Sequence, residues 1–193
     1  NMRHFNRLLL ACALLASLVF HACHDIEPET DQTAHAFDSK VYLRWNDLFM
    51  QLDRYAKGYR PGPGPRALAY LGYAAYEATV PGIPENRSLE TQFLGLDLPD
   101  IDTKATYHWP AAVNAVYAYM MPRLFLHMEN EYADLYSQIA ITNKQLHDQF
   151  ATETTPEVLA RSEAWGQQIA QAVYAWSTTD KVGHNGYLTP QPI

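Results

Sequence analysis

No segment of this 193-residue chain alternates apolar and polar residues for long enough to make a strand; its apolar residues recur at three- and four-residue spacing instead. The clearest run is Tyr42, Trp45, Leu48, Phe49, Leu52 and Tyr55, which falls on one stripe of a helix. Asp38 or Ser39 is placed to cap its start and Gly58 to end it. A chain patterned in this way has to bury its apolar surface by packing helix on helix.

Arg60-Pro61-Gly62-Pro63-Gly64-Pro65 cannot continue that helix, and Pro65 is suited to open the next one at its first position. From Arg66 to about Thr79 small residues (Ala67, Ala69, Gly72, Ala74, Ala75, Ala78) surround Leu68, Tyr70, Leu71, Tyr73 and Tyr76. Small residues on every side imply close neighbours on every side, so this helix is expected at the centre. Val80 to Thr103 carries Pro81, Gly82, Pro84, Gly95 and Pro99 and reads as a long loop with one short turn near Leu89 to Leu94, packed over something.

Another helix is expected from Pro110, with Val113, Val116, Tyr117, Met120 and Leu124 on one face and Pro122 kinking or ending it. Tyr132, Leu135, Tyr136, Ile139, Leu146 and Phe150 extend helical spacing from Glu129 to about Thr152. Thr154-Thr155-Pro156-Glu157 is a start signal for a last helix that buries Val158, Trp165, Ile169, Val173 and Trp176. Lys181 to Ile193 reads as irregular. The expected fold is an all-α helical bundle of about five main helices joined by long Pro/Gly-rich loops.

The N-terminus reads as an address. Arg3, His4 and Arg7 precede an apolar run from Leu8 to Phe20, about thirteen residues long, which suits a signal peptide and is too short to span a bilayer. Phe20-His21-Ala22-Cys23 follows, a relaxed lipobox that makes Cys23 the lipid acceptor at the end of a 1–23 signal peptide. Residues 24–36, with Asp25, Glu27, Glu29 and Asp31, suit a solvated acidic tether, and residues 37–193 form the helical domain. Cleavage after Ala22 with a free Cys23 thiol, or an uncleaved anchor, are the other readings of the same residues. The only other cysteine, Cys12, lies inside the signal, so the mature domain has no disulfide to support it. The expected location is the bacterial cell envelope, with the protein lipid-anchored and periplasmic or at the outer membrane. A formal charge of -7 without a basic cluster argues against nucleic acid as a partner.

Signatures of chemistry are sparse. The chain has no phosphate-binding Gly-rich loop, no Gly-x-Ser-x-Gly, no His-Glu-x-x-His and no paired-Cys motif. Glu-x-x-His, needed for a di-iron bundle, is absent because Leu124 and Lys144 stand where His127 and His147 would need Glu. His127 and Glu131 have i, i+4 spacing, which more often makes a surface contact than half a metal site. Arg60 and Arg66 flank the Pro-Gly run and could hold an anion at a helix N-terminus, although a rigid turn with solvated arginines is the simpler reading. Gly183-His184-Asn185-Gly186 is a flexible loop carrying one histidine. No catalytic, cofactor-binding or metal-binding residue is assigned, and Cys23, for lipidation, is the single functional residue.

The run Arg60 to Ala78, with its Arg66-Ala67-Leu68-Ala69-Tyr70 and Tyr76-Glu77-Ala78, resembles the N-terminal half of bacterial vanadium-dependent haloperoxidase-like proteins of the phosphatidic acid phosphatase type 2 superfamily. Trp45, Pro81-Gly82, Trp109, Ala111-Ala112, Asn114-Ala115 and the stretch Gly166 to Trp176 followed by Asp180 fall in the family's order. The resemblance implies haloperoxidase or phosphatase chemistry for a full-length protein, with vanadate as its cofactor in the former case. It places that chemistry in a later segment bearing a Lys, an Arg-Pro, a Pro-Ser-Gly-His and a Ser-Arg with a following His. None of these occurs here: Lys57 stands too close before Arg60-Pro61, and Val182 precedes Gly183-His184 where the family has Ser. The resemblance therefore makes 37–193 the N-terminal half of a larger enzyme fold, inactive alone, with the C-terminal catalytic segment and the membrane as its partners. The competing reading is a non-enzymatic helical binding or scaffold lipoprotein, suggested by the tether and the abundant aromatics.

Overall fold

The computed structural model describes residues 33–188; the expected signal segment, Cys23 and most of the expected acidic tether lie outside the described residues. Every regular element among the described residues is helical: α1 (Lys40–Tyr55), α2 (Pro63–Thr79), α3 (Trp109–Leu124), α4 (Ala133–Phe150), α5 (Pro156–Ser177) and a one-turn α6 (Lys181–His184), with short 3-10 turns between them. The chain is all-α, as its periodicity requires. No helix among the described residues is long and apolar enough to cross a membrane.

The expected stripe of α1 is buried at Trp45, Leu48, Phe49 and Leu52, while Tyr55 stays exposed. Ser39 occupies the N-cap position without a side-chain bond, and Asp38 accepts from the Lys40 N–H at 3.0 Å. Thr155 caps α5 by accepting from the Val158 N–H at 3.3 Å, with Pro156 at the first position. Ala34 already packs against the core, one turn ahead of Phe37.

Three expectations change. The central helix is α3 rather than α2, for α3 packs against α1, α2, α4 and α5 and buries Ala111, Ala112, Val113, Asn114, Val116, Tyr117, Met120 and Met121 over most of its circumference. The small residues of α2 serve a single buried face (Ala67, Leu71, Ala74, Ala75, Ala78), with Ala69 and Gly72 exposed. Composition alone could not separate closeness on one face from closeness on all. Second, α2 begins at Pro63, because a proline's missing N–H costs nothing in a first turn, where that N–H would be unsatisfied anyway. Third, the segment after Lys181 is ordered into α6 and a 3-10 turn at Gly186–Leu188.

Two close approaches fix how the helices meet. Gly166 of α5 lies against the backbone of α3, where a Cβ would stand 2.0 Å from the Ala112 carbonyl oxygen. Trp165 donates from Nε1 to the Ala78 carbonyl at 2.9 Å, tying α5 to the end of α2. A buried polar chain links the other side. Trp45 Nε1–H donates to Asn114 Oδ1 at 3.0 Å, and Asn114 Nδ2 donates to Asn143 Oδ1 at 2.8 Å. The long loop after α2 is held by Glu77, 2 % exposed, which accepts from the Leu89 N–H at 2.8 Å. An aromatic cluster holds it too: Trp176 is half-buried against Tyr70, Tyr73 and Phe93 and donates to the Leu94 carbonyl at 3.1 Å.

Candidate functional site

The Pro-Gly run and the loop around His184, far apart in sequence, meet in space. Arg66 Nε donates to Asp180 Oδ2 at 2.9 Å and Nη2 donates to the Ser177 carbonyl at 2.6 Å. Asp180 Oδ1 accepts from the Gly183 N–H at 2.9 Å, which seats α6 over the start of α2. Gly58, with φ of +76, takes a left-handed conformation that side chains resist, and its Cα faces the Tyr187 carbonyl so closely that a Cβ would lie 2.1 Å from the oxygen. The residues between Tyr59 and Tyr187 thus close on one cleft of about 180 Å³, lined by Tyr59, Arg66, Arg123, Tyr174, His184 and Tyr187.

The anion reading of Arg60 and Arg66 does not fit this arrangement. Arg60 is taken up by Asp53, with Nε and Nη2 donating to Oδ2 at 2.9 and 2.7 Å. Arg66 is taken up by Asp180 and Ser177. The N-terminus of α2 has no donor to offer at Pro63 or Pro65, and the Gly64 N–H already binds the Tyr59 carbonyl at 2.7 Å. The Arg60-Pro61 peptide bond is cis.

His127 and Glu131 do not act together. Glu131 pairs with Lys57 at 2.5 Å, and the His127 ring stacks on both Tyr59 and Tyr187, centroids 5.1 and 4.6 Å away, in a three-ring cluster in which the tyrosines also meet each other at 5.9 Å. Both His127 ring nitrogens are buried without a hydrogen-bond partner, so burial pushes its pKa below the usual histidine value. The unfolded chain therefore binds this proton more readily than the folded one. The neutral ring contributes its full stability above about pH 6.5, the unfolded value, and the contribution shrinks as pH falls toward the lower folded value. His127→Phe keeps the stack without buried ring nitrogens, so its melting temperature should exceed that of the parent, with the gap wider at pH 5 than at pH 8. A gap that stays constant or narrows in acid would show that His127 is not held neutral.

Asp180 shifts in the opposite way. The Gly183 N–H and then Arg66 hold its carboxyl below the usual range, so its contribution is present above the unfolded value and is lost only as pH falls through the depressed one. Asp180→Ala should speed tryptic cleavage after Lys181 several-fold. Global stability should drop by no more than about 1 kcal/mol, because the Asp180 side chain is 45 % exposed. Unchanged cleavage would mean that α6 is held by its aromatic contacts alone.

Two histidine–carboxylate pairs escaped the sequence reading. His108, 4 % exposed, caps α3: its Nδ1 accepts from the Ala111 N–H at 3.3 Å, which leaves the proton on Nε2 to face Glu153 at 3.0 Å. Its ring is packed between Phe37 and Phe150. Burial lowers its pKa against the opposing pull of Glu153. This histidine is consumed by structure. His147 faces Glu163 across the gap between α4 and α5, with Nδ1 2.6 Å from Oε1. Neither pair has a local sequence signature, since the partners come from different elements brought into register by α3.

Chemically, the cleft between Tyr59 and Tyr187 presents hydroxyls and cations but no acid–base pair. His184 meets Tyr174 edge-on at 5.9 Å, and its Nδ1 is buried without a partner. Vanadate does not fit here either, because the Arg66 guanidinium is already engaged by Asp180 and Ser177. Among the described residues no group of three or more His, Cys, Asp or Glu side chains is placed to hold a metal ion. Comparison with models of known protein families, with curated proteins and with solved structures finds no match to this chain.

Proposed function

We propose that this chain is the N-terminal helical portion of an exported, Cys23-anchored lipoprotein of the haloperoxidase and acid phosphatase kind, whose reaction is carried by a separate C-terminal segment. The observation that carries the reading is where the resembling residues fall. Trp45 bonds Asn114; Gly82 lies against the Trp109 ring and Gly166 against Ala112; Asp180 pairs with Arg66. Positions scattered through the chain turn out to be one another's contacts, as expected of a packing signature shared by a scaffold. The same residues leave no phosphate- or vanadate-binding set, so no chemical step is assigned to this chain.

The reading predicts that the chain alone, given vanadate, bromide and peroxide, or a phosphate ester, shows no turnover. It also predicts that the reading frame beyond Ile193 encodes the Lys, Arg-Pro and Pro-Ser-Gly-His elements. Turnover by this chain, or a stop codon with no such frame, would overturn it. Anchoring is tested separately: Cys23→Ser should abolish labelling by a fatty-acid precursor, and labelling that persists would refute the lipid site.

A further inference from the structure

Helices α4 and α5 are joined by a short turn, yet each packs against α3 rather than against the other. The gap between them is a groove of about 310 Å³ floored by Ala115, Ala118 and Tyr119 of α3. Its walls carry Asn143 and His147 from α4, Glu163 and Gln167 from α5, and Arg123 from the end of α3. From these groups we propose that the groove binds a neutral polyhydroxy compound, a saccharide unit, independently of the function proposed above.

The orientation of the polar groups carries the inference. Asn143 Oδ1 accepts from the Nδ2 of Asn114, which is fully buried and itself fixed by Trp45. The Asn143 Nδ2 is therefore left as a donor on the groove wall, held by a chain of hydrogen bonds that reaches the core. His147 Nδ1 is engaged with Glu163, which leaves its Nε2 on the groove wall beside the second Glu163 oxygen, an acceptor. Gln167 supplies one of each, and Arg123 supplies donors beyond the one it gives to the Tyr119 carbonyl at 2.7 Å. Flat side chains that present adjacent donors and acceptors suit vicinal hydroxyls, each of which both donates and accepts.

Charge decides between ligand classes. Arg123 has no carboxylate within ion-pair distance among the described residues, and Glu163 pairs only with His147. A guanidinium and a carboxylate stand on the same rim, so an anion would be set against Glu163 and a cation against Arg123. A neutral ligand meets neither penalty. The volume sits at the lower end of the roughly 300 to 1,000 Å³ of ligand clefts, enough for one or two sugar rings.

The test is ligand-observed NMR on the whole chain with glucose, galactose, mannose, N-acetylglucosamine and β-1,4-linked disaccharides of glucose and N-acetylglucosamine, with acetate and phosphate as charged probes. At least one sugar should bind with a Kd on the order of millimolar or tighter. Gln167→Ala and Arg123→Ala, both at solvent-exposed positions, should each weaken it about threefold to tenfold, the scale of one lost hydrogen bond. Binding by none of the sugars, binding indifferent to both substitutions, or tighter binding of acetate or phosphate would overturn the proposal.

Discussion

Trp45→Ala is expected to cost about 3 to 5 kcal/mol, the largest loss from any single truncation proposed for this fold. Trp45 is fully buried, stacks on Tyr117 with centroids 5.6 Å apart, and donates to a buried asparagine. Truncation opens a cavity at the α1–α3 contact and also strips Asn114 Oδ1 of its donor. Since domains of this kind have only about 5 to 15 kcal/mol in hand, the variant should sit close to its unfolding threshold at room temperature. Urea titration followed by circular dichroism should show a much lower midpoint at an unchanged slope. Trp45→Phe divides the effect. It keeps an aromatic ring against Tyr117 and should lose only about 1 to 3 kcal/mol, the cost of a buried acceptor left unpaired. If Trp45→Ala costs less than Trp45→Phe is expected to, the polar chain from Trp45 to Asn143 is not holding α1 to α3.

The second large effect is a change of sign between two glycines. In a helix interior, alanine is favoured over glycine by about 1 kcal/mol. At Gly72, where a Cβ would meet nothing within 4 Å, that preference acts alone and Gly72→Ala should stabilise. At Gly166 the Cβ would stand 2.0 Å from the Ala112 carbonyl oxygen and 2.9 Å from its Cα, both backbone atoms that move only if a helix moves. Parting α3 and α5 loosens the largest helix contact of the fold, and overpacking of this kind costs about 1 to 3 kcal/mol or more. Net destabilisation of roughly 2 kcal/mol is therefore expected for Gly166→Ala, with the helix preference only partly offsetting the clash. Thermal melts of the two variants moving in the same direction would contradict the contact described here.

These two experiments also mark where reading by residue type stops. Gly72 and Gly166 look alike in the chain, each a glycine among alanines and aromatics on a helix. Their difference lies in what a neighbouring helix places opposite them.

Periodicity was sufficient for the class of fold and for most helices, because an amphipathic stripe is a local property. The stripe of α1, the Thr155–Pro156 start of α5 and the buried Ile139, Leu146 and Phe150 of α4 could all be read in order along the chain. Tyr55 continues the stripe of α1 yet is exposed, because it ends the helix, where the stripe runs out beyond the core.

The site features depended on association. His147 and Glu163 stand on different helices, and their 2.6 Å approach follows from how α4 and α5 splay over α3. Arg66 and His184 lie far apart in the chain, and it is the Asp180 bridge that brings them to one cleft while consuming the Arg66 charge. Which helix is central was likewise decided by packing. Small residues in α2 and α3 permit close approach equally well, but it is α3 that packs against four other helices and leaves the stripe of Ala115, Ala118 and Tyr119 partly open. Local spacing sets which face of a helix turns inward, whereas the helix that fills the middle depends on how all the faces share the limited apolar surface among them.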